Sequence, residues 1–290
     1  MQVFDSTRCE LGEGLLWHPE REQIFWLDIP AKRLHSRTEA GPSVWDLPET
    51  VSALGWIDHD RLLLASETGL WAFDLRDETR TCLVAIEADD PGTRGNDGGA
   101  DPWGGFWLGT MGKEGEEGRG ALYRWHRGDL RVIRKPMTIP NVMAFDPLRK
   151  RAYVSDTPHH IVWMWTLGAD GWPEGGPQVF LDLSDEGLNP DGGTVDAEGR
   201  FWSAQFGAGR IACYSPEGEF LMAEPLPAAQ TTCPGFGGPD LDVLFVTTGQ
   251  EDMTAEERAQ QPQAGMTFHA RLMIDGRPVR GVAAPRVHPS

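Results

Sequence analysis

Six side chains recur at matched places along the 290 residues: Glu13, Ser52, Asn96, Asn141, Asp191 and Cys233. Each stands five residues before a turn anchor, at His18, Ile57, Asp101, Asp146, Asp196 and Gly238, and the anchors lie 39 to 50 residues apart. Two carboxylates and two carboxamides in this column are hard oxygen donors, which suit Ca²⁺, Mg²⁺ or Mn²⁺. No histidine falls in it, which disfavours a His-rich zinc centre. Taken singly, each residue would serve as a turn former or a partner for channel water; it is the shared register that points to a common site. Arg94 and Asp97 crowd the same glycine-rich stretch as Asn96, in TRGNDGGADPWGGFWLGT (93–110).

A column of this kind needs repeated elements to hold it. Short apolar runs alternate with Gly, Pro, Asp and Asn along the chain, as in NVMAFDPLRKRAYVSDTPHHIVWMWTL (141–167), and strands separated by turns are the reading. Related stretches begin near residues 15, 54, 98, 193 and 235, giving six units. A period of 40–50 residues with about four short strands is one propeller blade. The predicted fold is therefore all-β: a six-bladed β-propeller of four-stranded antiparallel blades, forming a single domain over 1–290. The segment QVFDSTR (2–8) is placed as the strand that completes the last blade, which removes exposed edges. One short helical turn is expected in TAEERAQQ (254–261), with Thr254 as its cap. In such a ring the first strand of each blade lines the axis, so the polar column faces the channel.

Composition narrows the function classes. A net charge of −18 argues against nucleic-acid partners. Cys9, Cys82, Cys213 and Cys233 are scattered, without a CxxC pair, and read as free thiols. There is no basic-then-apolar leader and no apolar run of membrane-spanning length, so a cytoplasmic location without membrane partners is the expectation. No GxGxxG, P-loop, HExxH, GxSxG or EF-hand pattern is present. The tryptophans at 17, 26, 56, 71, 107, 163, 165 and 202 are expected between blades, and His159 and His160 in an outer turn.

The motifs LGEG (11–14), RGNDGG (94–99), FWLGTM (106–111), GALYRW (120–125), NPDGGTVDAEGRFWSA (189–204) and FGGPDLDVLFVTT (236–248), in this order, resemble the gluconolactonase, senescence marker protein and regucalcin family of six-bladed propellers over nearly the whole chain. The resemblance implies one divalent cation, Ca²⁺ first with Zn²⁺, Mn²⁺ or Fe²⁺ as alternatives, held by Glu13, Asn141 and Asp191. It implies substrate contacts from Arg94 and Asn96, and a glutamate from the loop 112–120, for which Glu114, Glu116 and Glu117 are candidates. Val142 stands where the family often has Gly, leaving the turn after Asn141 open to change. Asp97 is assigned a turn role. The implied activity is hydrolysis of a 1,4- or 1,5-aldonolactone, with Asp191 catalytic; the protein's partner is then a small sugar lactone, and the chain a monomer or weak homo-oligomer. The alternatives are a regucalcin-like cation-binding protein and a metal-dependent esterase or phosphotriesterase on the same scaffold.

Overall fold

Apolar strand runs punctuated by Asp and Gly turns give, in the computed structural model, six four-stranded antiparallel sheets; residues 1–289 are described. Blade 1 comprises Gly12–His18, Gln23–Asp28, Arg33–Thr38 and Gly41–Asp46, and blade 2 Val51–Asp58, Arg61–Ser66, Gly69–Asp74 and Arg80–Ala85. Blade 3 comprises Thr93–Ala100, Phe106–Gly112, Gly120–His126 and Asp129–Met137, and blade 4 Pro140–Asp146, Arg151–Asp156, Ile161–Thr166 and Gln178–Asp182. Blade 5 is built from Asn189–Val195, Phe201–Phe206, Arg210–Tyr214 and Phe220–Pro225. Blade 6 takes Thr231–Gly237, Val243–Thr248 and Thr267–Ala270, and its fourth strand is the N-terminal Gln2–Asp5, which pairs Val3 with Phe268. The first strands of successive blades pack side by side, and those of blades 6 and 1 close the ring.

The aspartate anchors of blades 3, 4 and 5 work through their carboxylates. Asp101 accepts the amides of Trp103 and Gly105, the Trp107 indole at 3.0 Å and Arg124 Nε at 2.6 Å. Asp196 repeats the pattern with Glu198, Arg200 and Trp202. A buried carboxylate with four donors ties the first turn of a blade to its second strand, and every charge is matched. In blade 2 the capping residue is Asp58, one place beyond Ile57.

Trp26, Trp107, Trp165 and Trp202 are fully buried and Trp56 nearly so, as the packing between blades requires. Trp71 and Trp163 instead lie partly exposed beneath Arg80 and Arg134. All four cysteines are free, and only Cys82 is exposed. The short helix Ala255–Gln260 forms where expected, with Thr254 and Glu257 in a reciprocal capping box. Among the described residues no helix is long and apolar enough to cross a membrane.

Candidate metal and substrate site

All six inner strands run the same way, and each breaks its ladder with a bulge. The bulges turn polar side chains into one mouth of the channel. They also shift the column. Glu13 and Asn141 are the last ladder residues before their bulges, paired with Leu27 and Ser155, whereas Asn96 and Asp191 lie inside theirs. Glu13, Asn96, Asn141 and Asp191 nevertheless line a single cavity of about 410 Å³, together with Arg94 and Asp97. Ser52 and Cys233 do not line it: the Ser52 hydroxyl is buried without a partner among the described residues, and Cys233 lines a separate cavity. Blades 2 and 6 therefore contribute no polar group from these positions.

Two structural aspartates set the height of the proposed ligand positions. At the end of the second strand of blade 1, Asp28 accepts the amides of Glu10 and Leu11 at 3.0 and 3.4 Å. At the same place in blade 4, Asp156 accepts those of Thr138 and Ile139 at 2.9 and 2.7 Å. Each clamps the chain just ahead of an inner strand, and so fixes Glu13 and Asn141. The backbone after both is left-handed, with φ of 59° at Gly14 and 57° at Val142. Replacement of Gly by Val thus leaves the turn unchanged, and a β-branched residue carries the strain. Val142 is fully buried in the core of blades 4 and 5, and that packing holds it there.

A chain of hydrogen bonds crosses the mouth. Arg94 Nη1 donates to the Gly95 carbonyl and to Asn96 Oδ1, at 2.9 and 3.1 Å. Asn96 Nδ2 donates to the Pro140 carbonyl and to Asn141 Oδ1, at 3.1 and 2.9 Å. Asn141 Nδ2 donates to Thr157 Oγ1 at 2.8 Å, and Thr157 in turn to the Pro190 carbonyl beside Asp191. Both amide hydrogens of Asn96 are thereby spent on blade 4, so its remaining capacity is as an acceptor. Asn141 is held by its nitrogen, with one lone pair of its oxygen left. Asp97 does more than make a turn: it accepts the amide of Gly98 at 2.8 Å and that of Met143 at 3.1 Å, joining blades 3 and 4.

The electrostatics are unfavourable for the protein alone. Burial, followed by the charges of Asp191 and Asp97, holds the Glu13 carboxyl well above its ordinary value. Burial and then the Asp97 charge do the same to Asp191. Asp97 is pushed up to about 6 by burial. Arg94, the one basic residue in the lining, is itself lowered by burial. Among the described residues the Asp191 carboxylate accepts no hydrogen bond, and Glu13 accepts one, from Gly14. Uncompensated buried carboxylates with free lone pairs, beside a tethered amide oxygen, fit a hard divalent cation.

A stability consequence follows. Because their folded-state values are raised, Glu13 and Asp191 destabilise the cation-free protein progressively as pH rises above the unfolded carboxylate range. In chelator at pH 8, Asp191→Asn and Glu13→Gln are each expected to raise the melting temperature, by roughly 2–4 °C for each kcal/mol of repulsion removed. The gap should shrink at pH 5, where the wild-type carboxyls hold their protons. Thermal melts at the two pH values check this; a variant no more stable than wild type at pH 8 would show that the carboxylates are not in conflict.

Other expectations are redirected. Glu114, Glu116 and Glu117 are exposed on their loop and do not line the cavity. The loop carboxylate that joins Glu13, Asp97 and Asp191 in the lining is Glu251, from the long connection between the second and third strands of blade 6. No repeat register marks that position, so sequence periodicity could not single it out. Trp103 packs beside blade 3 and is absent from the lining. The turn carrying His159 and His160 reaches the cavity mouth through Thr157 and Pro158, while His159 itself is exposed. A separate group with metal-capable atoms, Cys9, Asp28 and His35, lies within 4.8 Å of one another in the core between blades 1 and 6. There Asp28 is already occupied by backbone amides and burial raises the Cys9 thiol to about 12.

The comparisons agree with this architecture. A sequence family described as "SMP-30/Gluconolactonase/LRE-like region" matches residues 11–250. A 6-deoxy-6-sulfogluconolactonase of Pseudomonas putida is 34% identical, with 92% of each chain covered. A pentonolactonase of Haloferax volcanii is 32% identical, with 94% of each covered. Among solved structures, a calcium-binding protein, regucalcin, of Agrobacterium tumefaciens superposes with a TM-score of 0.94 at 34% identity, covering 99% of this chain and 97% of that one.

Proposed function

The chain belongs to the SMP-30/gluconolactonase/LRE-like family of propeller hydrolases, and from that premise we propose that it hydrolyses a sugar lactone to the aldonic acid with the help of one divalent cation, Ca²⁺ in the first instance. The observation that carries this reading is the convergence of Glu13, Asn141 and Asp191 on one cavity that also presents Arg94 and Asn96. Glu13, Asn141 and Asp191 would hold the cation, which when bound supplies Lewis-acid polarisation of the ester carbonyl.

The remaining work falls to side chains of the chain. Asp191 orients a water and accepts its proton as the oxygen attacks the carbonyl carbon. The ring C–O bond then breaks, and the proton passes to the departing ring oxygen. Lactones are activated esters, so a carboxylate of modest basicity suffices. Arg94 binds substrate through Nε and Nη2, which find no acceptor among the described residues, while Nη1 is fixed by Asn96 and the Gly95 carbonyl. Asn96 positions Asn141 and offers Oδ1 to a substrate hydroxyl.

The test is acid release from a panel of pentono- and hexonolactones, 1,4- and 1,5-linked, neutral and sulfonated, across Ca²⁺, Mn²⁺, Zn²⁺ and Fe²⁺ and corrected for spontaneous hydrolysis. At least one lactone should be turned over, and only with a cation present. A protein that binds cation but hydrolyses none would support the second reading, a cation-binding protein like the regucalcin whose fold it matches so closely.

A further inference from the structure

Four carboxylates line the site cavity, from Glu13, Asp97, Asp191 and Glu251, against the single guanidinium of Arg94. Three of the four are the buried cluster described above. A dication added to that cluster still leaves the lining net negative. Glu251 is different in kind: it is half-buried, on another blade, and among the described residues its carboxylate accepts no hydrogen bond. It is nonetheless firmly placed. Its carbonyl accepts Gln230 Nε2 at 2.8 Å, and the preceding amide, of Gln250, donates to the Glu10 carbonyl at 2.9 Å. Further along the same connection, Arg258 grips the Glu10 carboxylate with both terminal nitrogens, at 2.6 and 3.1 Å. The segment is thus pinned to blade 1, and its free carboxylate faces the side of the cavity that holds Arg94.

We infer that Glu251 makes the cavity selective for lactones that carry no anionic substituent, by accepting a hydrogen bond from a substrate hydroxyl and repelling a carboxylate or sulfonate in its place. The inference rests on the lactonase reading and narrows its substrate class. Acceptors outnumber free donors in the lining, because both amide hydrogens of Asn96, one each of Asn141 and Asn189, and the hydroxyl of Thr157 are already committed, against four carboxylates. A polyhydroxylated neutral ligand supplies donors to such a surface; an anion supplies more acceptors and meets like charge in a partly desolvated space. The same imbalance favours departure of the product, since hydrolysis converts a neutral lactone into an aldonate.

The experiment compares kcat/KM of cation-loaded wild type and Glu251→Gln for a neutral hexonolactone and for the same skeleton bearing a sulfonate or carboxylate at C6. Wild type should prefer the neutral substrate. Glu251→Gln should shrink that preference about tenfold, less at high salt, and should bind the aldonate product more tightly. Its melting temperature should match wild type, because the carboxylate makes no hydrogen bond, so an altered ratio is not an unfolding effect. An unchanged ratio in the variant, or a wild type that prefers the anionic lactone, overturns the inference while leaving the lactonase reading standing. Failure of wild type to hydrolyse either of these substrates overturns the inference, and only failure across the whole panel of pentono- and hexonolactones sinks the lactonase reading with it.

Discussion

Asp191→Asn is expected to lower kcat/KM for an aldonolactone by about 10³-fold, equivalent to about 4 kcal/mol of transition-state stabilisation, in protein saturated with cation. The substitution is nearly isosteric and keeps one oxygen where Asp191 has two. What it removes is the negative charge and the site that takes the proton from water. Asp191 lies in a bulge and accepts no hydrogen bond from the described residues, so the fold does not depend on its charge. The same variant is expected to be more stable than wild type when cation is absent. A protein that gains stability and loses turnover by one substitution is the signature of a residue retained for chemistry. Initial rates of acid release at saturating cation, beside thermal melts in chelator, measure both effects. A variant that kept the wild-type rate would remove Asp191 from the mechanism.

The second large effect concerns cation affinity. Glu13→Gln is expected to weaken it by at least about tenfold, since a charged oxygen ligand becomes a neutral one. Wild-type affinity should itself climb with pH: burial and neighbouring carboxylates hold Glu13 and Asp191 protonated beyond the ordinary range, and the cation must displace those protons. Calorimetric titration at several pH values reads the slope, and the proton release appears as a dependence of the heat on the buffer. Affinity independent of pH, or equal in wild type and Glu13→Gln, would place the cation elsewhere, with Cys9, Asp28 and His35 the other group to examine.

The ring was legible because a propeller repeats its physics. Each blade needs an apolar second strand, a turn former after the first strand and a polar residue where that strand opens on the axis, and these recur every 39 to 50 residues. The N-terminal strand that completes blade 6 and the Thr254 cap followed from equally local chemistry. Counting back from the turns carried less information, because the ladder slips at every bulge. That slip puts Asn96 and Asp191 one place out of step with Glu13 and Asn141, and Ser52 and Cys233, in the same count from the turns, lie outside the cavity. The commitment of both Asn96 amide hydrogens to blade 4 depends on a contact between residues 45 apart, which no motif records. Glu251 was hidden for a further reason: it sits in the longest irregular connection of blade 6, where one acidic residue looks like any other on so acidic a chain.

The central claim, that a cation at Glu13, Asn141 and Asp191 enables lactone hydrolysis, is tested most directly by measuring bound cation and acid release on the same samples as stripped protein is titrated. The account predicts that the rate rises in proportion to occupancy and breaks at one cation per chain, with Asp191→Asn flat throughout. A full complement of bound cation with no lactone turnover, or undiminished turnover by protein freed of cation, would contradict it.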